Sequence, residues 1–185
     1  MSHAEKLSAG LFRLGLALSE AQQRLLLDYI ALLQKWNKVY NLTAVRDPEN
    51  MLYQHLLDSL AVLPYVGNGR LLDVGTGGGL PGVVLAIARP ELDITLLDSN
   101  QKKTTFLRQA SIELGLKNVR VECIRVDDYQ PVTPFDMVIS RAFSELAEFV
   151  RLSARLCRAG GVLLAMKGVY PHDELAQLSE KFQQI

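Results

Sequence analysis

Residues 71 to 82 read Leu71-Leu72-Asp73-Val74-Gly75-Thr76-Gly77-Gly78-Gly79-Leu80-Pro81-Gly82, a β-type run that breaks into glycines and then enters an apolar helix. Only glycine lets the backbone turn this tightly while a ligand lies against it. Asp98 follows Gly75 by 23 residues, at the end of the next apolar run, where a carboxylate accepts both ribose hydroxyls of an adenosine. The turn, with Gly75, Gly77 and Gly79, and Asp98 together imply a nucleoside-bearing cofactor.

Gly77, Gly79 and Gly82 also satisfy the G-x-G-x-x-G spacing of dinucleotide enzymes. In those sites the helix N-terminus receives a pyrophosphate, and an acid just before the glycines opposes that charge. Asp73 is such an acid. S-adenosylmethionine has no phosphate, and its ammonium and sulfonium are favoured by a carboxylate at the strand end. The acid turns the reading toward methyl transfer, with an NAD(P)-dependent oxidoreductase on the same fold as the alternative.

Outward from the turn, β-type runs alternate with helical ones. Arg70–Val74 precedes Gly82–Ala88; Asp93–Leu97 precedes Lys102–Leu114; Val119–Arg125 leads to a loop; Met137–Ser140 precedes Glu145–Cys157; Gly161–Met166 follows Gly160. This alternation predicts βαβ units with right-handed crossovers, hence an α/β, doubly wound, mostly parallel sheet. Before residue 69 the periodicity is helical only. Ser19 and Gln22 form a capping-box pattern ahead of Leu26, Ile30, Leu33, Trp36 and Tyr40 at helical spacing. Asn41–Asn50 reads as a loop and Met51–Leu63 as a second helix ended by Pro64. The chain is therefore expected to divide into an N-terminal helical cap, 1–68, and a Rossmann-like core, 69–185. Further strands are expected beyond Ile185, because an uncovered Gly161–Met166 edge invites pairing with other chains.

The bulk numbers fit one ordinary core. Of 185 residues, 49% are hydrophobic and 22% charged. No apolar stretch is long enough for a membrane span, and the N-terminus lacks the basic-then-apolar pattern of a signal peptide. A soluble, cytoplasmic protein, acting as a monomer, is expected. Cys123 and Cys157 have no neighbours at metal-ligand spacing, so no metal is expected and both read as reduced core residues. Net charge is zero, but segments 99–125 and 151–168 each carry an excess of four positive charges. These are either solvated helix faces or phosphate-contacting surfaces.

The residues after the fourth strand narrow the type of acceptor. Methylating pyrimidine C5 needs a cysteine nucleophile, and methylating an exocyclic amine typically uses a polar-Pro-Pro-aromatic tetrad there. The sequence instead reads Arg141-Ala142-Phe143-Ser144. This leaves an atom that already has a free lone pair, such as guanine N7, which needs no proton removed. No dedicated catalytic base is expected, since the enzyme contributes mainly positioning. Arg141, at the carboxyl end of its strand, can hold the cofactor, stack on the base, contact phosphate or simply form a surface salt bridge. Phe143 reads as a core aromatic before a stacking one, Trp36 and Tyr40 as a core stripe, and His55 with Asp58 as a contact along one helix face.

The runs Trp36-Asn37-Lys38-Val39-Tyr40-Asn41-Leu42-Thr43-Ala44-Val45-Arg46-Asp47-Pro48, His55-Leu56-Leu57-Asp58-Ser59 and Asp73 to Gly82 closely resemble the bacterial 16S ribosomal RNA guanine-N7 methyltransferases, also called glucose-inhibited division protein B. Leu96-Leu97-Asp98-Ser99, Phe106-Leu107-Arg108, Ile139-Ser140-Arg141-Ala142-Phe143 and Lys167-Gly168 resemble that family too. The resemblance implies a class I methyltransferase fold, S-adenosylmethionine as cofactor, and 16S ribosomal RNA or the small ribosomal subunit as partner. It places cofactor contacts on Gly75, Leu80, Val126, Asp127 and Arg141. Lys38, Arg46, Arg108, Arg141 and Lys167 are expected to meet RNA phosphate. A small-molecule methyltransferase and a non-catalytic RNA-binding module stay open as further readings.

Overall fold

The structure is a computed structural model that describes residues 1–143 and 145–178. Among the described residues five strands form one sheet: β1 (Arg70–Val74), β2 (Asp93–Asp98), β3 (Val119–Cys123), β4 (Phe135–Ser140) and β5 (Cys157–Ala165). Their order is β3-β2-β1-β4-β5, and every pairing is parallel. The order reverses at β1, where open α/β sheets take their ligands. Both faces of the central strands β2, β1 and β4 are covered, as a parallel sheet requires. Leu71, Ile94, Leu96, Met137 and Ile139 face one core with the cap, while Leu72, Val74, Leu97 and Val138 face another with Phe149.

Helix α1 (His3–Arg13) opens the cap with a capping box between Ser2 and Glu5, and α2 (Glu20–Tyr40) opens with the expected box between Ser19 and Gln22. α2 packs on the two helices that follow the first two strands, α5 (Gly82–Ala88) and α6 (Gln101–Glu113). The second cap helix begins earlier than Met51, because Asp47 caps α3 (Pro48–Met51) through the Asn50 N–H. It continues through a π-helical stretch, Leu52–Leu57, into α4 (Asp58–Leu60). Cap and sheet share one apolar cluster: Leu7, Leu26, Leu33 and Met51 pack with Leu71, Val83, Leu96 and Leu107.

Three expectations are corrected. α7 covers Leu146–Ser153, and a short 3-10 turn, Ala154–Leu156, ends the helix before Cys157. Cys157 belongs to β5, whose register with β4 steps from Phe135↔Cys157 to Met137↔Val162. The bulge between them absorbs Arg158–Gly161, so Gly160 marks an irregularity inside a strand rather than the end of a helix. Cys123 is exposed at the end of edge strand β3 rather than buried.

Candidate active site

β1 delivers Asp73 to the sheet's carboxyl edge on the face shared with the cap. The side chain is fully buried. Its Oδ2 accepts the Thr76 hydroxyl at 2.6 Å and the Gly82 N–H, first in α5, at 2.8 Å, while its Oδ1 has no partner among the described residues. Burial pushes the carboxyl up to about 6, against the lowering by the Thr76 and Gly82 hydrogen bonds and the charge of Arg141.

The glycine turn is held on three sides. Gly75 and Thr76 donate to the Leu97 carbonyl at 2.8 and 3.1 Å, tying the turn to β2. Asp98, at the end of β2, accepts the Gly77 N–H on Oδ2 at 2.9 Å and the Asn100 N–H on Oδ1 at 2.8 Å. From the cap, the buried Tyr29 hydroxyl donates to the Gly78 carbonyl at 2.6 Å. Gly79, at φ +98°, is packed so closely that a Cβ would lie 2.5 Å from Val83 Cγ2 and 2.8 Å from Leu107 Cδ2. A Cβ on Gly77, also at positive φ, would meet nothing nearer than 3.9 Å. The turn is thus filled from below and open above Gly77. Leu80 is buried beneath it, before a cis peptide to Pro81.

The other expected cofactor residues lie in the segments that follow β3 and β4. Val126 and Asp127 lie in the turn after β3, which is clamped from across the sheet by Arg155: its guanidinium donates to the Val126, Asp127 and Tyr129 carbonyls. Asp127 pairs with Arg125 at 3.6 Å. Arg141 follows β4, with Ser140 bonded to the Val74 carbonyl at 2.7 Å and bracing the Ala142 N–H at 3.0 Å. Its Nη1 donates to the Gln54 carbonyl at 2.9 Å and to Asp58 Oδ2 at 3.0 Å.

His55 and Asp58 do not pair with each other. Asp58 takes Arg141, whereas His55 Nε2 bonds Thr43 Oγ1 at 2.9 Å inside the cap, and Thr43 N–H donates to Asn37 Oδ1 at 2.9 Å. Burial lowers the imidazole's proton affinity. Phe143 is half-buried against Phe149, centroids 5.6 Å apart. Trp36 lies between Phe106 and Tyr40, and Tyr40 stays largely exposed.

The expected RNA residues do not form one patch of free cations. Lys38 and Arg46 are exposed around the end of α2, Arg46 donating to Asn41 Oδ1 at 3.2 Å. Arg108 donates to the Val121 carbonyl at 3.3 Å on α6 and lines a surface groove of about 460 Å³ with Lys117 and Ile112. Lys167 is half-buried and pairs with Glu174 of α8 (His172–Ala176) at 2.9 Å. Much of the positive segment 151–168 is engaged internally through Arg155, Arg158 and Lys167. In segment 99–125, Lys102, Lys103 and Lys117 carry no ion pair among the described residues. Sequence reasoning missed Arg155 and the Tyr29 anchor; neither bond has a local signal, because each joins residues far apart in the chain.

The family model of rRNA small subunit methyltransferase G (GidB) matches residues 22–185. The chain belongs to this family. Ribosomal RNA small subunit methyltransferase G of Laribacter hongkongensis is 59% identical over 180 residues, 97% of this chain and 87% of that protein. The protein of the same name from Nitrosospira multiformis is 55% identical over 189 residues, 98% of this chain and 88% of its own length. As a member of the family this chain is a methyltransferase. The fold agrees: S-adenosylmethionine-dependent methyltransferases from Thiobacillus denitrificans and Geobacter sulfurreducens, each solved with S-adenosyl-L-homocysteine, superpose with TM-scores of 0.52 and 0.51. They are 21% and 20% identical, covering 70% and 73% of this chain and 52% and 54% of theirs. No helix among the described residues is long and apolar enough to cross a membrane.

Proposed function

We propose that this methyltransferase moves the methyl group of S-adenosylmethionine to the N7 of one guanine in 16S ribosomal RNA. The observation that carries the cofactor half is the bond from the Gly82 N–H to Asp73 Oδ2. A dinucleotide enzyme needs the first amides of that helix for its pyrophosphate. Here a carboxylate has already taken one, and among the described residues its second oxygen is unpartnered.

The residues present suit S-adenosylmethionine. Asp98 is fixed by two backbone N–H donors, one on each oxygen, and each oxygen keeps a lone pair for a ribose hydroxyl. The open space above Gly77 lets backbone approach the ligand, and Asp73 places negative charge behind the turn for the ammonium. Val126 offers an apolar wall and Asp127 an acceptor for the adenine amine, both on a turn that Arg155 holds rigid. Arg141 closes the cleft at the β4 end.

When bound, the cofactor supplies an electrophilic methyl on a positively charged sulfur. Guanine N7 attacks with its own lone pair, so the protein's part is to align donor and acceptor, worth up to about 7–11 kcal/mol in favourable cases. Lys38 and Arg46, exposed around the end of α2, and Arg108, on the groove of α6, hold RNA phosphates. The small ribosomal subunit, in some stage of assembly, is the particle that presents this guanine, and the enzyme meets it as a monomer in the cytoplasm. Calorimetric titration with S-adenosylhomocysteine and with NADH tests the cofactor half: binding of the first alone supports it, and binding of NADH alone refutes it.

A further inference from the structure

We propose that Asp58 and the π-helical turn of the cap form a positioning device for Arg141, which sets its guanidinium for the cofactor; this rests on the reading of Arg141 as a cofactor contact. In a regular α-helix the Asp58 N–H would donate to the carbonyl four residues earlier, that of Gln54. Here it donates to the Tyr53 and His55 carbonyls and passes over the one between them. The Gln54 carbonyl is thereby released, and Arg141 Nη1 takes it up together with Asp58 Oδ2, at 2.9 and 3.0 Å. One nitrogen is gripped by a main-chain and a side-chain oxygen of the same helical turn. Widened turns of this kind recur at functional sites.

The grip has a firm base and leaves the arginine a working face. Met51, Leu52, Leu56 and Leu60 are buried around the turn, and His55 is pinned to Thr43, so Gln54 and Asp58 are presented by a fixed helix. Arg141 itself rises from β4 beside the glycine turn, where a Cβ on Gly75 would lie 2.8 Å from that of Ala142. Among the described residues its Nε and Nη2 make no hydrogen bond, and the side chain is 27% exposed. Two donor nitrogens, with three N–H groups, are left for a ligand while Nη1 fixes the plane of the fork. Without the grip, the guanidinium swings on a flexible stem and the cofactor must order it.

A double-mutant cycle on S-adenosylhomocysteine affinity, read by calorimetry, tests this in the intact protein: wild type, Asp58→Ala, Arg141→Ala and the pair. Asp58→Ala is expected to weaken binding roughly two- to fivefold, the range of a half-exposed ion pair, with an unchanged melting temperature. In the Arg141→Ala background the same change is expected to cost nothing more, and Asp58→Asn, which keeps one oxygen acceptor, is expected to recover part of the loss. Unchanged or tighter binding by Asp58→Ala, or its full loss repeated in the Arg141→Ala background, overturns the proposal. A drop in melting temperature with affinity intact overturns it too, making the pair a mere tie between cap and core. Failure of the wild type to bind S-adenosylhomocysteine instead removes the cofactor reading beneath it.

Discussion

Asp73 Oδ2 accepts the Gly82 amide N–H at 2.8 Å, so the acid of β1 closes the start of the helix that follows the strand. The same burial that makes this bond strong makes the charge costly. The carboxyl sits at about 6 in the fold against an ordinary 3.8, so between those values the folded state binds a proton that the unfolded chain has released. Stability from this group is therefore full at low pH and lost as pH rises through about 6. Asp73→Asn cannot ionise, and its melting stability relative to wild type is expected to gain up to about 3 kcal/mol between about pH 4 and pH 7. Its affinity for S-adenosylhomocysteine, which keeps the ammonium, is expected to fall. A stability difference that does not change with pH would show that Asp73 stays ionised throughout.

Tyr29→Phe removes the hydroxyl that the Gly78 carbonyl accepts in a buried position. It is expected to cost about 1–3 kcal/mol in urea denaturation, because a buried acceptor is left unmade. Weaker S-adenosylhomocysteine binding should accompany it, since the cap then no longer holds the turn.

Gly79→Ala and Gly77→Ala are expected to fail differently. The first drives a Cβ into Val83 and Leu107 at positive φ, and soluble yield or melting temperature should collapse. The second has room around it and bears only the backbone strain of about 1–2 kcal/mol, so it should fold and lose cofactor affinity. Circular dichroism melts with a binding titration separate the two.

Asp98→Ala is expected to weaken S-adenosylhomocysteine binding by about 1–3 kcal/mol, as the ribose hydroxyls lose their acceptor. The structure adds a cost beyond the ribose. Gly77 and Asn100 N–H groups lose their acceptor as well, so the variant should also melt lower. Unchanged affinity would place the ribose elsewhere.

Lys38→Ala and Arg46→Ala are each expected to reduce the salt slope of RNA binding by about one, the signature of a lost phosphate contact. Lys167→Ala should instead loosen α8, since its partner Glu174 also accepts the Leu146 N–H. Filter binding across a salt series, with melting curves alongside, tells the two effects apart.

The sheet was legible in the sequence because β1, β2 and β4 are short, mostly apolar runs closed by glycine or a polar turn, and a buried parallel sheet imposes that composition, while edge strand β3 alternates valine with Arg120 and Glu122. Strand β1 and helix α5 fall where the glycine turn places them. Helix α1 went unread although Ser2 and Glu5 carry its capping box, because its apolar face, Leu7 and Leu11, is short and exists only to meet the rest of the cap. The β4–β5 bulge misled for a local reason: Gly160-Gly161 at the end of an apolar helical pattern reads as a helix stop, and only pairing with Phe135 draws Cys157 into the sheet. At the site, the positions of Asp73 in β1, of the glycine turn after it and of Asp98 at the end of β2 were legible, since they depend on neighbours in sequence. The Arg141–Asp58 pair and the Arg155 clamp bridge 83 and about 26 to 29 residues, and no local pattern announces them.

Incubating the protein with methyl-labelled S-adenosylmethionine and 30S subunits or 16S RNA from cells lacking the methyltransferase, then mapping the label by cleavage at N7-methylguanine, tests the central claim most directly. Label at a single guanine N7 is the expected result. Label on another atom or on a small molecule, or no transfer by a protein that binds S-adenosylhomocysteine, contradicts it.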